Sequence, residues 1–260
     1  MTGPKVIPIL HPRLSAGGRI EVAGENTWRL EIPAGPKSNY RLAQLEDYTN
    51  LRREDFLWNP PAVLSVTARC SDQEIPGTWG FGLWNDPFSV SLGLGGGSRL
   101  WPALPNAAWF FFASPPNYLS LRDDLPAQGS LAATFRSPDI PALLLACGVP
   151  ALPLLFFPAA ARLLRRLGRR FIRQDAGAMA LDPAEWHTYS IVWAEDLTAF
   201  KVDREQVFET KIVPSGPLGL VIWVDNQFAA LPPSGRLAFG TLDNPRTAWI
   251  EIEIDYPVAN

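Results

Sequence analysis

Cysteine and histidine are scarce: the 260 residues hold two of each. Cys70 and Cys147 lie far apart in sequence and make no disulfide framework, and two histidines leave no metal-ligand spacing, so no metal site and no cofactor is expected. A phosphate loop is missing as well. The glycine-rich stretch Leu92–Ser98 has no following Lys and helix and reads as a flexible turn, and no G-x-G-x-x-G joins a strand to a helix. Charge is nearly balanced at −3, which gives no reason to expect nucleic acid as a partner. At the N-terminus "MTGPKVIPILHPRLSAGG" offers only a short apolar stretch broken by Pro8, with no secretory core, so a cytoplasmic location is expected.

What is abundant is proline, glycine and tryptophan (26, 20 and 10 residues) in a chain that is 47% hydrophobic. That apolar content excludes collagen-like and disordered classes, and scattered prolines suit short strands joined by loops. Apolar runs of four to nine residues recur between Gly, Pro, Asn or Asp. They include "RIEVAGENTWRLEIP", "PAVLSVTARC", "GTWGFGLWN", "SVSLGLG", "AWFFFAS", "WHTYSIVW", "LTAFKVD", "LGLVIWVDN", "GRLAFG" and "TAWIEIEIDYP". This pattern predicts a single all-β domain over residues 1–260, a sandwich or barrel.

One segment breaks the pattern, and we expect it to be a helical insertion spanning 139–176. Pro141–Phe157 carries no charge, and Pro158 is suited to open a helix. Beyond it Leu163, Leu164, Leu167, Phe171 and Ile172 share one helical face, while Arg162, Arg165, Arg166, Arg169, Arg170 and Arg173 fall largely on the other. Residues 141–174 thus carry +6, leaving −9 on the rest of the chain. Three readings stand: a helix packed on the sandwich, a lid or interface between copies of the chain, and a membrane-surface segment at 158–174. The uncharged stretch upstream offers the Leu stripe an apolar partner, so a packed helix or lid is the expectation.

Within this frame, Trp186-His187-x-Tyr189-x-Ile191-x-Trp193, an acidic turn and then Phe200-x-Val202-Asp203 resemble a hairpin of the concanavalin A-like lectin/glucanase superfamily, nearest to glycoside hydrolase family 16. Ile75–Asn85 looks like that family's "G-x-W" strand, Gly216–Asn226 like a late strand of its concave sheet, and "AWIEIEIDYPV" like its closing strand. The matches come in the family's order and cover about half the chain. The resemblance implies a jelly-roll β-sandwich. It also implies an E-x-D-x-E strand after the "G-x-W" strand, where a retaining pair of carboxylates stands roughly 5 Å apart. Here the corresponding region, Trp101–Asn117, contains no Asp or Glu, and Trp109, Phe110, Phe111 and Phe112 stand instead.

The resemblance therefore implies a sandwich that binds a carbohydrate or apolar small ligand on its concave face, with Trp79, Trp84, Trp101, Trp109, Trp223, Asp225 and Asn226 as binding candidates. Two alternatives stay open. One is a glycosidase or other small-molecule enzyme with relocated acids, for which Asp225, Glu74 and Asp86 are the weak catalytic candidates. The other is a peripheral membrane or assembly protein acting through the Arg-rich helix. Asp225 and Asn226 serve equally well as the turn after a strand. Glu251, Glu253 and Asp255 read as the outward positions of a strand with Ile252 and Ile254 in the core. His187, Tyr189, Ile191 and Trp193 share one strand face and read as core, and Cys147 reads as a small hydrophobe.

Overall fold

The computed structural model describes residues 8–87, 99 and 101–255. In chain order the strands are β1 (His11–Ser15), β2 (Arg19–Gly24), β3 (Thr27–Ile32), β4 (Leu42–Glu46), β5 (Ala62–Cys70), β6 (Thr78–Trp84), β7 (Ala107–Ala113) and β8 (Gly129–Arg136). After two helices, α1 (Ala142–Ala146) and α2 (Pro158–Phe171), come β9 (Arg173–Ala178), β10 (His187–Trp193), β11 (Thr198–Val202), β12 (Glu205–Thr210) and β13 (Gly219–Asp225). The last three are β14 (Gln227–Ala230), β15 (Ala238–Thr241) and β16 (Ala248–Asp255).

Strands β1-β4-β13-β6-β7-β8-β9 make the first sheet and β12-β11-β10-β5-β16-β3-β2 the second, with β14 and β15 as a small ribbon. All the strand pairings are antiparallel, and the two sheets sandwich one core: an all-β jelly-roll sandwich with a helical insertion. The predicted strand "SVSLGLG" and the turn at Leu92–Ser98 lie outside the described residues.

The sheets differ in how their strands read. Strands β5 and β16 in the second sheet alternate buried and partly exposed residues, because only one face meets the core. Their apolar positions, Ile250, Ile252 and Ile254 among them, enter the core, while Glu251 on the outer side bridges Arg29 and Arg69. In the first sheet β6 and β13 are buried at every position, which is why "TWGFGLW" and "GLVIWVD" are nearly continuous apolar runs. Both faces of the first sheet are covered: the inner by the core, the outer by a second aromatic cluster.

The β10–β11 hairpin is core, as its alternation implies. Tyr189, Ile191 and Trp193 are fully buried. His187 caps the row, its Nδ1 2.6 Å from Asp203 Oδ2 and its Nε2 3.1 Å from the Asp182 carbonyl oxygen. Strands β1, β4, β8, β9, β12 and β14 are not among the apolar runs. Pro12 in β1 suits an edge strand, which leaves one side of its ladder unpaired.

Helix α2 begins at Pro158, as expected, but its Leu stripe does not face the sandwich, and of its arginines only Arg165 does. Leu163, Leu164, Leu167 and Phe171 are 52%, 43%, 39% and 53% exposed, whereas Ala161 and Arg165 are buried. The reason is Arg165. Its guanidinium donates to the carbonyls of Ser120 (2.6 Å), Leu231 (3.0 Å) and Arg122 (3.0 Å) and pairs with Asp123 at 2.7 Å. A buried cation held by this many acceptors outcompetes the Leu stripe for the docking seam. Arg173, counted with the basic face, belongs to β9.

Candidate functional site

Strand alternation sorts the outer face of the first sheet into three rows that cross β4, β13, β6 and β7. The registers align Leu42–Asp225–Thr78–Ala113, Gln44–Trp223–Gly80–Phe111 and Glu46–Val221–Gly82–Trp109. Two glycines thus lie at the centre, and the aromatic rings lean over them. A Cβ on Gly80 would stand 2.8 Å from Trp223 Cη2, and one on Gly82 would stand 2.5 Å from Trp109 Cβ. Trp109 is the hub, with ring centroids 5.7 Å from Phe111 and Phe135, 5.8 Å from Trp223 and 6.1 Å from Trp84. It stays half-buried, while Trp84, Phe111 and Trp223 are buried.

The β1–β4 side of this face is polar. Gln44 and Glu46 are buried, Gln44 donates to Glu46 Oε2, and Thr49 Oγ1 lies 2.9 Å from Glu46 Oε1. The register seats His11 opposite Glu46 and Arg13 opposite Gln44. An aromatic floor therefore meets a polar rim along β4. Sequence reading missed this rim because "LAQLE" is only five residues long; the signal available was its alternation of Leu42, Gln44 and Glu46 against Ala43 and Leu45.

Asp225 closes the face at the other end of β13. Its Oδ1 accepts from Thr78 Oγ1 at 2.8 Å and from the Gln227 backbone N–H at 3.2 Å, and Tyr40 OH donates to Oδ2 at 3.4 Å. Trp223 Nε1 in turn donates to Thr78 Oγ1 at 3.0 Å. Burial pushes the Asp225 carboxyl up to about 7, against the pull of the Thr78 and Gln227 hydrogen bonds. Burial, and then the Asp225 charge, raise the Tyr40 phenol as well.

The remaining sequence candidates are placed elsewhere. Trp79 faces the opposite way, into the core between the sheets, where it stacks on Phe112 at 3.7 Å. Phe110 and Phe112 also point inward, so the outward residues of β7 are Ala107, Trp109, Phe111 and Ala113. Trp101 is exposed in the loop ahead of β7. Asn226 is consumed by the turn: its Oδ1 accepts from Arg41 N–H at 2.8 Å, and its Nδ2 donates to the carbonyls of Asn39 and Leu242. Glu74 is exposed in the loop before β6 and lines an end cavity of about 290 Å³. Asp86, beyond the far end of β6, is fully buried and pairs with Arg99 at 3.1 Å. Strand β6 therefore separates Glu74 from Asp86 by roughly 20 Å, at about 3.4 Å per residue. Among the described residues no three His, Cys, Asp or Glu side chains converge as a metal-ion site.

No protein-family model matches the chain, and comparison with curated proteins yields no match. Among solved structures, the chain is similar to an endo-β-1,4-glucuronan lyase from Trichoderma reesei, with 11% identity, 96% of this chain and 91% of that one covered, and a TM-score of 0.47. It is similar to a glycoside hydrolase family 16 endo-glucanase from Bacteroides ovatus, with 11% identity, 92% and 85% covered, and a TM-score of 0.45. A legume lectin-like domain from Entamoeba histolytica gives 10% identity, 95% and 90% covered, and a TM-score of 0.46. Likenesses this distant carry no argument about what the outer face does, which rests on its own residues.

Proposed function

We propose that the outer face of the first sheet binds a carbohydrate and does not cleave it. The observation that carries this reading is β7: its outward positions, Ala107, Trp109, Phe111 and Ala113, offer rings and methyl groups but no carboxylate. A sugar ring is apolar on its faces and polar around its edge. The half-buried Trp109 ring supplies a stacking platform, and the partly exposed His11 and Arg13 of β1, beside Glu46 and Gln44, supply hydrogen-bonding groups.

Hydrolysis needs a second carboxyl near the first. Of the buried carboxylates, Asp225 and Glu46 lie opposite Leu42 and Val221, four residues apart along paired strands. That is about 14 Å at 3.4 Å per residue, beyond the separations of both retaining and inverting pairs.

Titration calorimetry with soluble β-glucan oligosaccharides tests the proposal. Saturable binding that Trp109→Ala abolishes without unfolding the chain is the expected result, together with no reducing-sugar release from laminarin. Release that disappears in Asp225→Asn or Glu46→Gln would overturn it in favour of an enzyme with relocated acids.

A further inference from the structure

The insertion puts two unlike surfaces side by side. Leu163 and Leu167 flank Arg165 by two positions on either side, roughly 200° around the helix at 3.6 residues per turn. They therefore project away from the seam that Arg165 forms with the sandwich. Phe156 and Phe157, just upstream, are more exposed still, and Phe171 extends the apolar row. Between this row and the seam run Arg162, Arg166 and Arg170, one helical turn apart, all exposed. Five arginines of α2, with Asp123 and Pro233, line a concavity of about 390 Å³. Asp123 is engaged by Arg165 and by Arg169 at 2.5 Å, and Arg162 donates to the Ser234 carbonyl, so Arg166 and Arg170 are the arginines here without a hydrogen bond or ion pair among the described residues.

We propose that this insertion is a docking surface for an anionic lipid bilayer, with the Leu/Phe row entering the interface and the arginine concavity receiving headgroup phosphates. Charge complementarity selects this occupant. Residues 141–174 contain six Arg and no acid, so a two-fold contact with a second copy would set arginine against arginine. A soluble polyanion would match the arginines and leave the adjacent apolar row in water. An anionic bilayer satisfies both, by apolar burial and by attraction to phosphate. The attachment is peripheral: no helix among the described residues is long and apolar enough to cross a membrane.

The test is flotation of the full chain with vesicles of equal parts phosphatidylcholine and phosphatidylglycerol, at low and high salt. Two double variants accompany it, Arg166→Ser/Arg170→Ser and Leu163→Ser/Leu167→Ser. All four side chains are exposed, so both variants should unfold at the wild-type temperature. Binding is expected to the anionic vesicles and not to phosphatidylcholine alone, and to weaken in high salt. Removing the two arginines should weaken it about thirty-fold, and the leucine variant should lose it. Absence of binding at low salt overturns the proposal. So does binding of heparin or inorganic phosphate that the leucine variant leaves intact while vesicles stay unbound, which would make the occupant a soluble anion. Self-association abolished by the leucine variant, without vesicle binding, would make it a second copy and equally overturn the proposal.

Discussion

Replacing Asp225 with Asn probes the outer face directly, since the amide keeps the shape and the Oδ1 acceptor for Thr78 and Gln227. The folded carboxyl holds its proton up to about 7, whereas its ordinary value is 3.8. Between those limits folding takes up a proton, so the wild-type chain loses stability as pH rises from about 4 to 7, at about 1.4 kcal/mol per pH unit. The amide cannot ionise and does not share that loss. Asp225→Asn should therefore exceed the wild type by about 1–2 kcal/mol at pH 5 and by up to about 4 kcal/mol at pH 8, where full burial sets the ceiling. Asp47, whose carboxyl burial also raises to about 7, is present in both proteins and drops out of the difference. Urea denaturation followed by tryptophan fluorescence at the two pH values measures it. A difference that does not grow between pH 5 and pH 8 would show that Asp225 titrates as an ordinary surface acid, and the burial argument would fail.

Two further outcomes concern packing. Trp193→Ala should cost about 3–5 kcal/mol, the range for truncating a large aromatic at a fully buried position; a denaturation shift below about 1 kcal/mol would remove Trp193 from the core. Gly82→Ala should cost about 1–3 kcal/mol by overpacking, because the added Cβ would clash with the Ala108 carbonyl oxygen and Trp109 Cα; an unchanged unfolding midpoint would mean that β7 is not held close against β6 at this point.

The amino-acid sequence alone carried the β class, most strands of the core though not β4 or β8, and the β10–β11 hairpin, because two-residue alternation and turn residues are local properties. Trp193 on one face and Glu251 on the other follow from nothing more than that period. The lack of carboxylates across Trp101–Asn117 was also legible without coordinates. Which residues share the outer face was not. Glu46, Gln44 and Tyr40 join Trp223 and Asp225 only through the pairing of β4 with β13, and that pairing spans nearly 180 residues of chain. Trp79 and Trp84, five residues apart, separate onto opposite faces of one strand, so the list of tryptophans alone could not say which meet. Helix α2 is the sharpest case. Its periodicity defined a Leu stripe and an Arg stripe but not that Arg165 alone of the arginines would be buried against the protein. The tertiary structure decided that through Asp123 and three backbone carbonyls, whose combined hold on Arg165 turned the apolar stripe toward solvent.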